Sequence, residues 1–358
     1  MFKKLDWYII KKFLGTFFFT LLLFMAVSIV IDFSENVDDF VEKEVPVDKV
    51  ISGYYLNFIP QISFMLFPIF IFIAVIFFTS RLANRSEIVA AYGTGVSFYR
   101  ILFVPYMLCA FMLTGFQLYA NHYWVPQANE RLLNFENTYI SKSNYHRSRN
   151  IHFQVSKDEY AYLENYSIKD STGYKFAFEK MHDDKLVYKI RADKIKWKTD
   201  HWEIVNYYKR YINGLDEKIE EGEKMDTTLA LLPEDFGKTE QNKDMMITPD
   251  LKQYIAKERS RGVSGLALFD VEVQRRSAVP FATILLTIMG YAIASRKMRG
   301  GMGLHLAFGA GLSSAMVMLQ QFSHTFSIKG GLDPVIGSWM PNIIFTIICI
   351  ILLKVAQK

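Results

Sequence analysis

The sequence predicts an α-helical membrane protein with six transmembrane helices, arranged three plus three, and an inserted exterior domain that is β-jellyroll-like. Three observations predict it. Three long apolar runs precede a polar block at residues 126–269, and three more follow it. Inside the block, apolar and polar residues alternate with the period of a strand. The composition agrees: a 358-residue chain that is 51% hydrophobic carries more apolar surface than one soluble core can hide.

Residues 13–31 and 50–80 are uncharged, and residues 101–129 carry only His122. The later runs are residues 277–295, 306–323 and 335–353. Each approaches or exceeds the roughly 20 apolar residues that span a hydrocarbon core. The first run exceeds a signal-peptide core, and no small-residue cleavage site follows it, so it reads as a retained helix.

Charge orients the helices. Lys3, Lys4, Lys11 and Lys12 precede the first, and Arg81, Arg85 and Arg100 lie between the second and third. Arg296, Lys297 and Arg299 separate the fourth and fifth, and Lys354 and Lys358 follow the sixth. The opposite loop, residues 32–49, holds seven acids against two lysines. The positive-inside rule then puts both termini in the cytoplasm and the central domain outside. The basic flanks also account for the net charge of +5, which gives no reason to expect nucleic acid as a partner. Cys109 and Cys349 both fall in apolar runs, so no disulfide is expected in the exterior domain.

Ile151, Phe153 and Val155 alternate with polar neighbours, as do Leu186, Tyr188, Ile190 and Ala192 with theirs. The phase slips after Asp193 and Lys194, where Ile195 and Trp197 become the apolar set, and a bulge or bend is expected there. Another aromatic and β-branched run at residues 202–212 ends at Asn213-Gly214, a hairpin signal. Short strands of this kind favour an antiparallel sandwich or jelly roll. Lys185, Lys189, Lys194, Lys196 and Lys198 read as a solvated strand face. Thr248-Pro249-Asp250 then resembles a helix start, giving a linking helix near 249–261 that stops near Gly262. The expected domains are residues 1–125, 126–269 and 270–358.

Catalytic signatures are missing. Gly237-Lys238-Thr239 lacks the upstream glycine of a phosphate loop, and the seven histidines show no metal-ligand spacing. Gly262-Val263-Ser264-Gly265 is one residue short of a nucleophile elbow. His324 lies near a helix end with no evident acid partner. No catalytic residue, metal or bound cofactor is expected, so the energy for any work comes from a partner.

Residues 81–100, between helices two and three, suggest a short capped helix near 84–95. Ser86 caps it, Glu87 suits the positive helix end, and Gly93 and Gly95 stop it. Docking to a soluble partner and an ordinary connector fit this pattern equally.

The chain resembles the LptF/LptG lipopolysaccharide-export permeases, on the LptG side, over nearly its full length. Leu5-Asp6-Trp7-Tyr8-Ile9 precedes helix one, and Asn84-Arg85-Ser86-Glu87-Ile88-Val89 leads to Gly93 or Gly95. Val125-Pro126-Gln127 follows helix three and Trp339-Met340-Pro341-Asn342 enters helix six. The resemblance implies a subunit of an ABC transporter in a bacterial inner membrane. A cytoplasmic ATPase dimer would hydrolyse ATP, with Arg85, Ser86, Glu87, Gly93 and Gly95 forming the coupling segment. A second permease would complete a central cavity, with helices one and five as lateral gates. The periplasmic β domain would pass lipopolysaccharide to a jellyroll bridge protein. The alternative is a mechanotransmitting permease that moves a periplasmic partner without carrying lipid.

Lipid phosphates call for cations near the outer face, and Arg131, Arg275 and Arg276 are candidates, against the alternative of interfacial anchoring. Helix one departs from the family's pattern: it ends Ile31-Asp32-Phe33, without a lysine. Gln61, Gln117, Asn121, Gln320 and Gln321 either line the cavity or bond between helices. Gly300, Gly301, Gly303, Gly309 and Gly311 suggest close helix approach at the entry of helix five.

Overall fold

The computed structural model describes residues 3–140, 148–156, 158–167, 170–182, 185–214, 216–229, 233, 242–260, 266–296 and 301–356. Six helices are long and apolar enough to cross a membrane, and a six-stranded antiparallel sheet is inserted between the third and fourth of them. The spanning helices are α1 (Lys4–Glu42), α2 (Val47–Asn84), α4 (Phe98–Tyr139), α7 (Ala267–Ala294), α8 (Gly301–Lys329) and α9 (Pro334–Ala356). The short α3 (Glu87–Gly93) joins α2 to α4, and α5 (Asn242–Met245) and α6 (Thr248–Ser260) precede α7. The chain folds into two compact units. One holds Met1–Ser141, Asp244–Pro249 and Ala267–Lys358; the other holds Lys142–Lys243 and Asp250–Leu266.

The spanning helices are longer than their apolar runs. The acidic stretch that reads as a loop from Asp32 is helical as far as Glu42, held partly by Asn36 Nδ2 donating to the Asp32 carbonyl at 2.9 Å. Likewise α4 continues through Pro126, which is buried, to Tyr139. Hydropathy marks where a helix meets lipid, whereas backbone hydrogen bonding carries on into water.

The helices are unequally covered. In the most apolar stretches of α2 and α7, 67% of residues are buried, against 17% in α1 and 22% in α8. The central pair packs at small residues: a Cβ on Gly290 of α7 would sit 2.9 Å from Val75 Cγ1 and 3.0 Å from Phe72. Of the glycines expected to give close approach in α8, Gly309 does so, against Ile76. Gly303 and Gly311 have nothing near them, and Gly300 lies outside the described residues.

The sheet runs as a meander, β1 (Ser148–Ser156), β2 (Glu159–Ser167), β3 (Thr172–His182), β4 (Lys185–Trp197), β5 (Trp202–Asn213) and β6 (Asp216–Thr227), each paired with the next. This is the expected inserted β domain, with hairpins in place of Greek-key crossings among the described strands. Asn213 pairs with Asp216, and Gly214 takes φ +65°, as the Asn-Gly signal requires. The apolar face is built from Leu163, Phe176, Ile190, Ile195, Trp202 and Ile204, all buried. Lys194, Lys196 and Lys198 are exposed, as a solvated face should be.

The slip at Asp193–Lys194 is a bend that crosses the sheet. Ala192 faces Tyr207 and Ile195 faces Ile204 in one continuous register, so β4 gains no extra residue. The inward set changes parity in several strands at this level: Leu163 to Tyr166, Ala192 to Ile195, and Ile204 to Tyr207. Lys175 and Asn206 take positive φ on the bend line, both +52°. Polar pairs span it, Lys175 Nζ with Glu164 at 2.7 Å and Asn206 Nδ2 donating to Asp193 at 3.1 Å. Gly173 makes room for the packing, because a Cβ there would lie 2.5 Å from Leu163 and 2.9 Å from Ile195.

Candidate functional site

Two regions gather the polar residues that an apolar helical unit would otherwise avoid. The first is the connection from α2 to α4. Arg85 and Ser86 leave α2, and Ser86 turns left-handed at φ +61°. In that conformation it makes no side-chain cap bond to α3, contrary to expectation. Of the two glycines expected to stop the helix, one does so. Gly93 is the last residue of α3, while Gly95 adopts φ +85°, with Gly95 N bonded to Tyr92 O at 2.9 Å and Val96 N to Ala91 O at 3.2 Å. This is a Schellman stop, which needs a residue free of Cβ at its left-handed position. Only Gly95 meets that need.

Glu87 opens α3, where a carboxylate suits the helix dipole. It accepts a hydrogen bond from Tyr8 Oη at 3.0 Å and lies 4.0 Å from Arg85. Arg85 is exposed and Glu87 is partly so, which leaves both within reach of solvent. Ile88 is buried on the opposite side and anchors α3 to the helical core. Tyr92 Oη meets Tyr291 Oη of α7 at 2.9 Å, and Tyr291 Oη also donates to the Phe98 carbonyl at 3.3 Å. Burial pushes the Tyr92 phenol up, so it stays neutral in this contact. Just beyond, Arg100 Nη1 and Nη2 donate to both carboxylate oxygens of Asp6, at 3.1 and 2.9 Å.

The second region is a cavity of about 450 Å³ between α2, α4, α7 and α8. Its walls are apolar, from Phe64, Met65, Ile69, Val279, Leu286 and Met316. Polar groups gather with Gln61, Asn121, Gln320, Gln321, His324 and Arg275. Gln117 belongs elsewhere: it is buried, its Nε2 donates to Phe64 O at 3.4 Å, and it accepts from Thr283 at 2.8 Å. So four of the five in-span amides line the cavity and one ties helices together.

Glu272 organises the polar end. Arg275 donates to it at 2.7 and 3.1 Å, and Arg276 Nε donates at 2.9 Å. Arg276 is further held by Met246 O at 2.8 Å and Thr248 Oγ1 at 3.0 Å, and only 3% of its side chain is exposed. Such a residue is structural; no guanidinium face remains for a phosphate. Arg275 differs, with 39% of its side chain exposed and a longer approach to Asp244 at 3.9 Å. Arg131 is exposed on α4 and does not line the cavity. Of the three arginines, Arg275 alone joins the cavity with donor surface to spare. His324 shares that lining with Glu272, so an acid is near it after all.

Sequence reasoning gave no site role to Tyr291 or Glu272, nor to Asp6, Tyr8 and Arg100, which entered only through the family resemblance and the charge pattern. Glu272 carried a signal, since it precedes Arg275 and Arg276 at helical spacings of three and four. The contacts of Asp6, Tyr8 and Tyr291 cross 79 to 199 residues, and no local pattern encodes them.

Among the described residues, no cluster of His, Cys, Asp or Glu could hold a metal ion. The family model described as lipopolysaccharide export system permease LptF/LptG matches residues 7–355. No curated protein matches the chain.

Proposed function

The chain belongs to the LptF/LptG family of lipopolysaccharide export permeases, and from that premise we propose that it extracts lipopolysaccharide from a bacterial inner membrane as one subunit of an ABC transporter. The carrying observation is the cavity between α2, α4, α7 and α8, apolar along its walls and polar at the Arg275 end. An amphiphile with acyl chains and an anionic headgroup matches that division. Arg275 would meet a phosphate oxygen with its exposed donors, since guanidinium binds phosphate bidentately. Gln61, Asn121, Gln320 and Gln321 would receive sugar hydroxyls.

The low coverage of α1 and α8 supports a second permease beside them, enclosing the lipid. The α3 segment, with Arg85 and Glu87 facing solvent, supports docking to a cytoplasmic ATPase dimer, which would hydrolyse ATP on behalf of both permeases. Both chain termini would then lie in the cytoplasm and the β domain in the periplasm. Burying an acyl chain is worth about 0.8 kcal/mol per CH₂, so drawing out a multi-chain lipid needs that ATP and a shielded exit. The apolar face of the sheet supplies the shielding, toward a jellyroll bridge protein.

A photoreactive residue at Gln321 tests this reading in membranes containing the assembled transporter. Lipopolysaccharide adducts that appear and clear with ATP turnover are expected. Turnover without adducts would overturn lipid passage and favour a permease that only transmits motion.

A further inference from the structure

Helix α1 is the least covered of the six, yet it is fastened at its start to the first residue of α3 and to the start of α4. Tyr8 reaches Glu87, the first residue of α3, through one partly exposed hydrogen bond. Asp6 reaches Arg100, just past the Gly95 stop, through a bidentate pair. The two ties differ in kind. The Asp6 side chain has no exposure and also accepts from the Lys3 backbone N–H at 2.7 Å, so its charge is fully committed. Removing one partner of such a pair strands the other charge, which makes it a contact that persists. The Tyr8–Glu87 bond lies at the surface, where an incoming cation can compete for the carboxylate.

We propose that Asp6 and Arg100 are positioning residues that carry movement of the α3 segment into helix α1. This rests on the reading that the α3 segment receives the ATPase stroke. Phe13, Phe17 and Leu21 pack the middle of α1 into the helical core, and at its start the Asp6–Arg100 pair ties it to the chain that leaves α3, so the pair sets whether that end of α1 moves with the segment. The Tyr8–Glu87 bond is the tie that gives way when a partner claims Glu87. The cytosolic stroke thereby reaches the start of the lipid-facing helix through this ion pair.

The test uses the complete transporter with its ATPase and second permease. Spin labels replace the exposed Phe19 on α1 and Val89 on α3; both native cysteines are buried. With the pair intact, the label separation stays narrow through the nucleotide cycle. Asp6→Asn is expected to broaden it and to lower lipid released per ATP by roughly tenfold, within the usual range for coupled sites. ATPase association should remain. The exchange Asp6→Arg with Arg100→Asp should recover part of the yield, which a merely weakened fold would not. Arg100→Lys, keeping charge but losing the fork, should fall between the two and serves if Asp6→Asn does not assemble.

An unbroadened separation with an unchanged yield in Asp6→Asn and Arg100→Lys would overturn the proposal. If the parent complex shows no nucleotide response, the ATPase reading fails instead. The Asp6→Asn separation, measured without nucleotide, then still decides the linkage.

Discussion

The phenols of Tyr92 and Tyr291 meet at 2.9 Å although 199 residues separate them. Through this contact the short helix α3 is seated on α7, one of the two best-covered helices of the bundle. Tyr291 also holds the Phe98 carbonyl, so a single hydroxyl organises the end of α3 and the start of α4.

Tyr291→Phe removes that hydroxyl from the half-buried Tyr92 phenol, while the Phe98 carbonyl keeps its bond from the Leu102 N–H. A loss of about 1–3 kcal/mol is expected, the usual cost of an orphaned buried polar group. Thermal unfolding in mild detergent measures it, and Tyr92→Phe should cost less because the Phe98 bond survives.

Glu87→Arg reverses the charge at the head of α3 and sets it against Arg85. Co-purification of the ATPase is expected to fall at least tenfold, about 1.4 kcal/mol. Undiminished co-purification would remove Glu87 from the docking surface.

The two neighbouring arginines should separate cleanly. Arg276→Ala removes a guanidinium whose side chain is only 3% exposed, leaving Glu272 held by Arg275 alone and the Met246 carbonyl without that donor, with a stability loss of about 1–3 kcal/mol. Arg275→Ala leaves Glu272 paired with Arg276, so a smaller loss is expected, with lipid crosslinking from Gln321 reduced. Equal unfolding temperatures for the two variants would contradict this division.

Gly290→Val should destabilise the bundle by about 1–3 kcal/mol, because the added atoms press on Val75 and Phe72. A Cβ on Gly303 meets nothing within 4 Å among the described residues, so Gly303→Val adds its atoms in open space. It should leave the isolated permease unaffected, and lost assembly with the second permease would locate an interface at that position.

In the β domain, the bond from Lys180 at 2.9 Å holds the Glu159 carboxyl below its ordinary value. A carboxylate lowered by folding stabilises above its unfolded value near 4.5 and loses that contribution as pH falls. Lys180 is raised by the same contact, so its contribution is lost only at alkaline pH. Glu159→Gln should flatten the acid limb of the unfolding profile as pH falls below the unfolded value near 4.5, and leave the neutral region almost unchanged because the pair is exposed.

Helices and strands were legible in the sequence because solvent dictates them locally. An uncharged run signals lipid, and alternation signals a half-buried strand. Even the break at Asp193–Lys194 showed, since Ile195 and Trp197 fall out of step. The contents of the two polar regions were less accessible. Glu87 and Gly95 could be read from their positions around a short helix, and Arg275 from its place near a helix end. Ser86 could not, because its left-handed turn depends on how α2 exits. Nor could the fate of Arg276, which is fixed by Met246 and Thr248, carbonyl and hydroxyl groups contributed by a distant stretch.

The bend across the sheet has a practical consequence for anyone testing the proposed lipid path by positional scanning. On β4 the even residues Ile190 and Ala192 point inward, but beyond the bend the inward residue is odd, Ile195. On β5 the even residues Trp202 and Ile204 give way to Tyr207, and on β2 the odd Leu163 gives way to Tyr166. A probe walked along every second residue of any of these strands would start on one side of the sheet and finish on the other. An apparent gap in contacts halfway along a strand would then mark a change of side, while the path itself ran on unbroken.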